Sequence, residues 1–345
     1  MKYKIIDLFC GIGGFSYGFE MTKHFETILG VDFWDVALKT FSRNHPKTNV
    51  VQGDVTKLEN SFFESYEGKA DVIIAGPPCQ GFSMSGKRDV FDVRNSLFHE
   101  VLRIVSVVKP KVVVIENVVG LLSMQTPEGK DVKEEIKSDL ENLGYKVEYK
   151  VLLASDYGVP QNRKRVIFIA SLNGEIDYPK PTVPHPVTVG DALSNIPEKD
   201  KIYLPPQNDY QKLMSGRPDI LNHNPINHAA NIVARMHTVP QGGNWKDIPI
   251  ELGQGGGVHS NNYRRLKWDE PSITIKHVSK SMIIHPIYDR TPTIREVARI
   301  QSFDDDFEIL GTIYNQHQQL ANAVPPLLGK AIATSVYKIL QKYGD

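Results

Sequence analysis

The sequence has only two cysteines in 345 residues, so a framework of disulfide bonds does not stabilise this protein. It has no apolar run near the roughly 18–20 residues that a membrane-spanning helix needs. Residues 1–4 lead into a strand-like segment without the regions of a signal peptide. Lysine plus arginine equals aspartate plus glutamate, at 40 each, which excludes a strong overall positive field. We therefore expect a cytoplasmic protein without a membrane partner, in which any charge that binds nucleic acid is local.

The residues that are present are those of a globular protein, with 41% hydrophobic and 23% charged side chains. In the first half, short apolar runs rich in valine and isoleucine alternate with segments of helical period. We predict strands at 3–9, 26–32, 50–54, 71–75, 111–117, 145–154 and 165–170, and helices at 35–44, 96–108, 293–303 and 326–342. This alternation is typical of an α/β fold with a doubly wound, mostly parallel sheet.

The composition changes near Asp177, after which prolines and glycines cluster and helical periodicity fades. Residues 220–285 contain seven lysines and arginines against four acidic residues, which gives this stretch a mild basic bias. Its histidines lack cysteine partners and regular metal-ligand spacing, so we expect no metal site. We predict a smaller irregular domain over 178–285, inserted into a catalytic domain formed by 1–177 and 286–345.

A glycine-rich turn follows the first predicted strand, at Gly11, Gly13 and Gly14, where backbone N–H groups can approach a ligand closely. Asp32 and Asp54 end the next two strands, where a carboxylate can accept hydrogen bonds from ribose. Each acid alone is better explained as a helix N-cap. Together with the turn, the two acids favour an adenosine-containing cofactor. Both NAD and S-adenosylmethionine are possible, but the glycine spacing is not G-x-G-x-x-G, which favours the methyl donor.

A cysteine lies in a proline- and glycine-rich loop after the fourth predicted strand, at Cys79. Loop chemistry at the carboxyl edge of a sheet favours a nucleophile over a packed structural thiol, whereas Cys10 has the surroundings of a packing residue. A nucleophilic thiol needs an acid or base, and Glu116 ends a strand at the same edge. Arg163 and Arg165 alternate in an extended segment, so we expect both guanidinium groups to point the same way.

These residues resemble the motifs of the cytosine-C5 DNA methyltransferase family, in the order in which that family carries them. The matching segments are residues 7–14 (DLFCGIGG), 76–83 (GPPCQGFS), 116–118 (ENV), 161–165 (QNRKR), 295–303 (REVARIQSF) and 319–325 (QLANAVP). Two positions depart from the family pattern, because members often carry proline at Asp304 and glycine at Ala321. Neither position concerns the chemistry.

The resemblance implies a Rossmann-like methyltransferase fold with S-adenosylmethionine as cofactor and S-adenosylhomocysteine as product. It also implies that residues 178–285 are a target-recognition domain. Phe33 would stack on the adenine and Asp32 would bind the ribose. The implied cofactor-binding residues are Phe9, Gly11, Ile12, Gly14, Asp32, Phe33, Asp54, Pro78, Leu97, Asn322 and Val324.

The resemblance further implies that Cys79 attacks C6 of a cytosine flipped out of duplex DNA, while Glu116 acts at N3. Arg165 would orient the base, and Arg163 would hold the loop or the backbone of the base. The residues expected to contact DNA are Gln80, Ser83 and Ser85 in the cysteine loop, and Gln241, Asn244, Tyr263, Arg264 and Arg265 in the inserted region, whose polar, aromatic and basic groups suit base and phosphate contacts.

Other functions remain open at this point. A tRNA cytosine methyltransferase would use the same scaffold, and a non-catalytic nucleic-acid-binding protein could keep the fold. An NAD-dependent dehydrogenase would leave Cys79 and Arg165 without a role. We expect a monomeric bacterial modification enzyme that acts on double-stranded DNA, is associated with the nucleoid when bound, and is paired in the cell with a separate restriction endonuclease.

Overall fold

The structure is a computed structural model that describes residues 2–78, 97–126, 129–253 and 261–343. The chain divides into two compact units. The first unit comprises Met1–Leu153, Lys164–Thr182 and Leu328–Asp345, and the second comprises Ala154–Arg163 and Val183–Leu327. Both units are thus formed by segments that are distant in sequence.

The described part of the chain contains nine strands and twelve α-helices. The strands are β1 (Tyr3–Leu8), β2 (Phe25–Asp32), β3 (Asn49–Gln52), β4 (Val72–Ala75), β5 (Val112–Val118), β6 (Lys146–Leu153), β7 (Gln161–Asn162), β8 (Lys164–Ser171) and β9 (Ser272–Ile273). The helices are α1 (Gly14–Glu20), α2 (Asp35–Asn44), α3 (Asn60–Glu64), α4 (Leu97–Val108), α5 (Val132–Asn142), α6 (Val189–Leu193), α7 (Asp209–Met214), α8 (Ala230–Thr238), α9 (Val278–Ser281), α10 (Ile294–Ile300), α11 (Ile313–Asn322) and α12 (Pro326–Gln341).

The first unit is built on a seven-stranded sheet with the order β3-β2-β1-β4-β5-β8-β6. Strands β1 to β5 pair in parallel, whereas β8 is antiparallel to both of its neighbours, β5 and β6. The order reverses at β1, which pairs with β2 on one side and β4 on the other. In open α/β sheets a ligand binds at the carboxyl ends of the strands beside such a reversal. This predicts the site at the ends of β1, β2 and β4.

The central strands are buried on both faces, which explains their continuous apolar runs. Alternate residues of β1, β4, β5 and β8 contribute to one apolar cluster, which is closed by the apolar faces of α3, α4 and α5. Their neighbours in sequence, such as Ile74 and Val114, are fully buried outside that cluster. Since successive side chains of a strand point to opposite faces, these neighbours belong to the other face of the sheet.

Helix α12 packs against the first helix and the first two strands. A Cβ atom built on Gly329 would lie 3.1 Å from the carbonyl oxygen of Phe15 and 3.3 Å from the Cα of Gly18. The ring of Tyr337 stacks on His24 at 3.8 Å and contacts Tyr3 edge-on at 6.1 Å. The glycine permits this close approach of two helix backbones. The C-terminal helix therefore packs against α1, which follows the glycine turn.

The second unit has little regular structure, and buried arginines donate hydrogen bonds to several of its backbone carbonyl oxygens. Arg295, on α10, is fully buried and donates hydrogen bonds to the carbonyl oxygens of Leu221, Asp304 and Phe307. Arg299, one turn further along, is also fully buried and forms a bidentate pair with Asp305 at 2.6 Å for both bonds. Irregular chain leaves carbonyl groups without sheet or helix partners, and a guanidinium group can serve several of them at once.

The sequence predicted all seven strands of the main sheet, and the helix predicted at 35–44 coincides with α2. Helices α1, α3, α5, α6, α7, α8, α9 and α11 were not predicted, nor was the reversed direction of β8. Residues 286–327, which we assigned to the catalytic domain, belong to the second compact unit. Because compactness does not define a function, the assignment of functional domains stays a prediction. Within the described ranges, no helix is long and apolar enough to cross a membrane.

The buried pair of Arg299 and Asp305 yields a stability prediction. Removing one partner of a buried ion pair leaves an uncompensated charge, so Asp305→Ala should lower the free energy of unfolding by about 3–5 kcal/mol. Asp306→Ala removes the neighbouring exposed carboxylate and should change it by about 0.5 kcal/mol or less. Urea unfolding of both variants provides the measurement. Equal losses would contradict a structural role for the pair.

Candidate active site

The turn after β1 has a backbone conformation that favours glycine. The φ angles are 59° at Phe9, 53° at Gly11 and 84° at Gly13, all in the left-handed region. A Cβ atom on Gly13 would lie 2.4 Å from Nε2 of His45, which makes this position sterically closed. A Cβ atom on Gly11 would meet none of the described atoms within 4 Å, so Gly11 borders open space. The turn therefore leaves room for a ligand beside Gly11, whereas the side chain of His45 packs closely against Gly13.

Asp32, at the end of β2, connects this turn to the adjacent strand. Its carboxylate accepts hydrogen bonds from the N–H groups of Gly11 at 2.8 Å and Trp34 at 2.9 Å. Burial raises the pKa of Asp32 above its ordinary value, although these N–H bonds act in the opposite direction. Phe33, which lies between Asp32 and Trp34 in the sequence, is 68% exposed. An exposed ring beside a glycine turn and a strand-terminal carboxylate is compatible with an adenosine group, and the cofactor contacts of Phe33 and Asp32 stay predictions.

Asp54 follows β3 and caps the short 3₁₀ turn Val55–Lys57. Its Oδ1 accepts hydrogen bonds from N and Oγ1 of Thr56, at 3.1 and 2.8 Å. This is the N-cap role that either acid could have had, and contact with a cofactor stays a prediction for Asp54. The remaining predicted cofactor residues of the first unit are Ile12 and Gly14, which are buried, and Phe9, Pro78 and Leu97, which are partly buried. Asn322 and Val324 belong to the second unit, and their role also stays a prediction.

The sequence analysis missed Asp7, which lies just before the glycine turn. It is 2% exposed and accepts a hydrogen bond from the hydroxyl of Ser16, on α1, at 2.6 Å. Burial raises the pKa of Asp7 from 3.8 to about 8, against the effect of the Ser16 bond. Cys10, predicted to be a packing residue, is buried, and burial raises the pKa of its thiol well above the ordinary value. A thiol of this kind is unreactive.

Glu116 and Arg165 form an ion pair at the carboxyl end of β5. Arg165 Nε lies 2.7 Å from Glu116 Oε1, and the two side chains are only 12% and 11% exposed. Because β8 runs antiparallel to β5, its first residues lie beside the last residues of β5, with Arg165 opposite Val118. This arrangement gives Glu116 a fixed position at the edge of the sheet where the glycine turn also lies.

The neighbouring residue, Asn117, anchors the start of the loop that leads to Cys79. Its side-chain amide donates to the carbonyl oxygen of Pro77 at 3.1 Å and accepts the N–H of Val118 at 2.8 Å. A Cβ atom on Gly76 would lie 3.9 Å from Glu116 Oε2, so the loop starts next to the carboxylate. The predicted nucleophile Cys79, together with Gln80, Ser83 and Ser85, lies outside the described residues.

Arg163 has a different partner from Arg165. It is 2% exposed and donates from both terminal nitrogens to the carbonyl oxygen of Ala321, at 3.3 and 3.4 Å. The chain leaves β7 at Asn162 and enters β8 at Lys164, so the two arginines do not share one continuous strand. In the second unit, Arg163 thus joins the QNRKR segment to the residue before Asn322.

The residues predicted to contact DNA in the second unit differ in exposure. Gln241 is exposed, Asn244 and Arg264 are half-buried, and Tyr263 is 8% exposed. Arg265 is 5% exposed, and all five of its N–H donors are engaged by carbonyl oxygens and one carboxylate. A contact between Arg265 and DNA would require one of these bonds to break.

One group of metal-ligating side chains occurs within the parts of the chain that the structure describes. The ligand atoms of His99, on α4, and of Glu135 and Asp139, on α5, lie within 4.8 Å of one another. None of the three is buried, and such exposed groups do not by themselves define a metal site. The expectation that the protein has no metal site was based on the histidines of the inserted region, and His99 lies outside that region.

Comparison with known proteins identifies the family of this chain. The model of the C-5 cytosine-specific DNA methylase family matches residues 3–338. Type II methyltransferase M1.HphI of Haemophilus parahaemolyticus is 40% identical over 98% of this chain and 88% of its own length. Type II methyltransferase M.DdeI of Desulfomicrobium norvegicum is 38% identical over 96% and 88%. A crystal structure described as a DNA modification methyltransferase of an E. coli prophage superposes with a TM-score of 0.80, at 26% identity over 99% of this chain and 100% of that one.

The raised pKa of Asp7 predicts how stability depends on pH. Between about pH 4 and pH 8 the folded protein keeps a proton that the unfolded chain has released, so the free energy of unfolding falls as pH rises. Asp7 alone contributes up to about 1.4 kcal/mol per pH unit. Asp7→Asn should remove this slope, and Asp35→Asn, at an exposed carboxylate of α2, should leave it unchanged. Urea unfolding at pH 5, 6 and 7 measures the slopes; the same slope in wild type and Asp7→Asn would refute the protonated state.

Proposed function

Because the chain belongs to the C-5 cytosine-specific DNA methylase family and is therefore an S-adenosylmethionine-dependent DNA cytosine-C5 methyltransferase, we propose that Cys79 and Glu116 carry out its chemistry on one specific duplex sequence. The observation that carries this proposal is the fixed position of Glu116 beside the loop that leads to Cys79. S-adenosylmethionine supplies the methyl group. The turn at Gly11, the ring of Phe33 and the carboxylate of Asp32 would hold it.

Cytosine C5 is a poor nucleophile, and the base is stacked within the duplex, so the base first has to be flipped out at a cost of a few kcal/mol. The thiolate of Cys79 then forms a bond to C6, while Glu116 hydrogen-bonds to N3 or donates a proton to it. The electrons of the C5–C6 double bond become available at C5, which makes this carbon nucleophilic. Once C5 carries the methyl group, with S-adenosylhomocysteine as the other product, a water molecule takes the C5 proton. Loss of this proton restores the C5–C6 double bond and breaks the bond between sulfur and C6.

The pairing of Arg165 with Glu116 supports a positioning role for this arginine. The ion pair uses Glu116 Oε1 and fixes the plane of the carboxylate, which a directed hydrogen bond to the base requires. Asn117 acts in the same way on the loop, because its bond to Pro77 fixes the backbone two residues before the nucleophile. Arg163 stabilises the segment around Ala321. Only Cys79 and Glu116 are thus proposed to touch the reacting ring atoms.

We also propose that residues 178–285 read the target sequence. The basic excess of 220–285 and the exposed polar loops around Gln241 and Asn244 support this role. The relatives named Type II methyltransferases come from bacteria. By analogy we place this enzyme in the bacterial cytoplasm as a monomer on nucleoid DNA, with a restriction endonuclease of the same specificity acting separately.

The first test of the chemistry is substitution of the two catalytic residues. Cys79→Ser should lower methyl transfer by more than about 10³-fold, the scale expected when a nucleophile is removed. Glu116→Gln should lower it by about 10²–10⁴-fold, as for a lost general acid. Both variants should keep their affinity for S-adenosylmethionine, measured by calorimetry. Wild-type enzyme should form a covalent adduct with duplex DNA that contains 5-fluorocytosine, because fluorine cannot leave as a cation.

The other cysteine provides the matched control for trapping. Cys10→Ala removes the only other thiol and should still give the adduct, whereas Cys79→Ser should not. An adduct with Cys79→Ser, or active enzyme that cannot be trapped, would rule out addition of Cys79 to C6.

The role of the inserted region is tested with reciprocal chimeras. In the first chimera, residues 178–285 of this protein are replaced by the corresponding segment of a relative with another target. This chimera should methylate the target of that relative. The reciprocal chimera, with residues 178–285 of this protein in the relative, should methylate the target of this protein. Bisulfite sequencing of DNA from the expressing cells identifies both sites. Targets that follow the catalytic segments instead would contradict the assignment.

A further inference from the structure

Arg265 joins three segments of the second unit through their backbone. Its guanidinium group donates hydrogen bonds at 2.6–3.3 Å to four carbonyl oxygens, those of Met236, Val239, His285 and Tyr288. Its backbone N–H bonds to the carbonyl oxygen of Gly243, and its own carbonyl oxygen accepts the N–H of Gly242. The end of α8 and the segment 285–288 therefore meet at one buried side chain. The loop around Gln241 pairs with the backbone of the same arginine, which belongs to the loop 261–265. These two loops are those whose composition indicated contact with DNA.

The same arginine also fixes an exposed histidine on the outside of this junction. Asp289 binds Arg265 Nη2 through Oδ1 at 2.5 Å and His237 Nδ1 through Oδ2 at 2.8 Å. The side chain of His237 is nevertheless 80% exposed, whereas those of Arg265 and Asp289 are 6% and 30% exposed. A buried arginine thus orients a carboxylate, and the carboxylate orients an imidazole that faces solvent.

The chemistry of the pair determines what this imidazole offers a ligand. A carboxylate accepts only, so Nδ1 of His237 must carry the proton in their hydrogen bond. Partial burial raises the pKa of Asp289, but the hydrogen bonds from His237 and Arg265 outweigh this effect and lower the pKa below its ordinary value. The carboxylate is therefore charged and holds the Nδ1–H of His237. When the ring is protonated, Nε2 is a second N–H donor with positive charge.

An exposed ion pair stabilises a protein little, because side-chain ordering offsets most of its attraction. Stability of the fold therefore does not explain why an exposed imidazole is held in place by a carboxylate that is itself fixed by a buried guanidinium. Pre-organisation for a ligand does explain it, since a donor whose rotamer is already set loses less freedom on binding.

On the basis of the proposed function of the second unit, we propose that His237 binds a phosphate of the DNA backbone beside the target sequence, in an orientation set by Asp289. The ligand class is a phosphodiester, because the protonated ring offers one directed donor with positive charge. It has no free acceptor, which base recognition by a bidentate contact requires. Asp289 is a positioning residue that acts through His237.

The salt dependence of DNA binding tests this contact. Binding of the full-length enzyme to its target duplex and to a duplex of unrelated sequence is measured by fluorescence anisotropy between 0.05 and 0.3 M NaCl. Loss of one phosphate contact reduces the magnitude of the slope of log K against log[salt] by about 0.9 and weakens binding roughly eightfold at 0.1 M salt. We expect this for His237→Ala on both duplexes alike, with a higher KM for DNA and an unchanged kcat.

Two further variants complete the experiment. His237→Arg keeps a positive donor and should restore the wild-type slope. His24→Ala removes an exposed histidine of the first unit, outside the proposed recognition region, and should leave the slope unchanged. A wild-type slope in His237→Ala overturns the proposal. So does a loss confined to the target duplex without a change of slope, since that result indicates base reading.

The outcome is separable from that of the proposed function. If the reciprocal chimeras exchange their targets while His237→Ala keeps the wild-type slope, the recognition role stands and the phosphate contact is refuted. If the targets do not follow residues 178–285, the recognition role is refuted whatever the slope of His237→Ala.

Discussion

Every buried carbonyl oxygen needs a donor, and the two units of this protein meet that requirement in different ways. In the first unit the mostly parallel sheet and its helices pair the backbone with itself. In the second unit, irregular chain leaves carbonyl groups without such partners, and buried guanidinium groups serve them. Arg265, Arg295 and Arg299 each bind carbonyl oxygens, and two of them also pair with an aspartate. The loops of the second unit depend on these bonds for their conformation.

The same requirement shapes the edge of the sheet where the chemistry is proposed. Asn117 pairs with Val166 of β8, but on its other side β4 already ends at Ala75, opposite Ile115. There the side-chain amide of Asn117 binds the carbonyl oxygen of Pro77, in the loop after β4. The antiparallel direction of β8 brings Arg165 to the same edge, where it pairs with Glu116. The pairing of the strands thus sets the backbone positions at this edge, and the side chains of Glu116, Asn117 and Arg165 extend from them. The site is therefore as rigid as the strand ends that carry it.

The sequence was informative where one residue pattern allows one structure. Alternating apolar runs predicted the strands of the main sheet, and the motif residues Glu116 and Asp32 are found at the strand ends where we expected them. It was less informative about which charged side chains are buried, because burial depends on the packing of distant segments. A helical segment that contains Arg295 and Arg299 has the composition of a solvent-exposed helix, and only the three-dimensional structure shows that both side chains are buried. Asp7 was missed for the same reason, because its burial depends on α1 packing above it.

Backbone-directed bonds from arginine have a consequence for sequence recognition. Carbonyl oxygens are common to all residue types, so the bonds of Arg265 persist whichever side chains stand at Met236, Val239, His285 and Tyr288. Loops held in this way can exchange their side chains, and hence the bases that we propose they read, without losing their conformation. Phosphate contacts carry no sequence information, so a residue such as His237 can remain while its neighbours change. A frame of arginine bonds with exchangeable loops is thus compatible with many target sequences on one catalytic sheet.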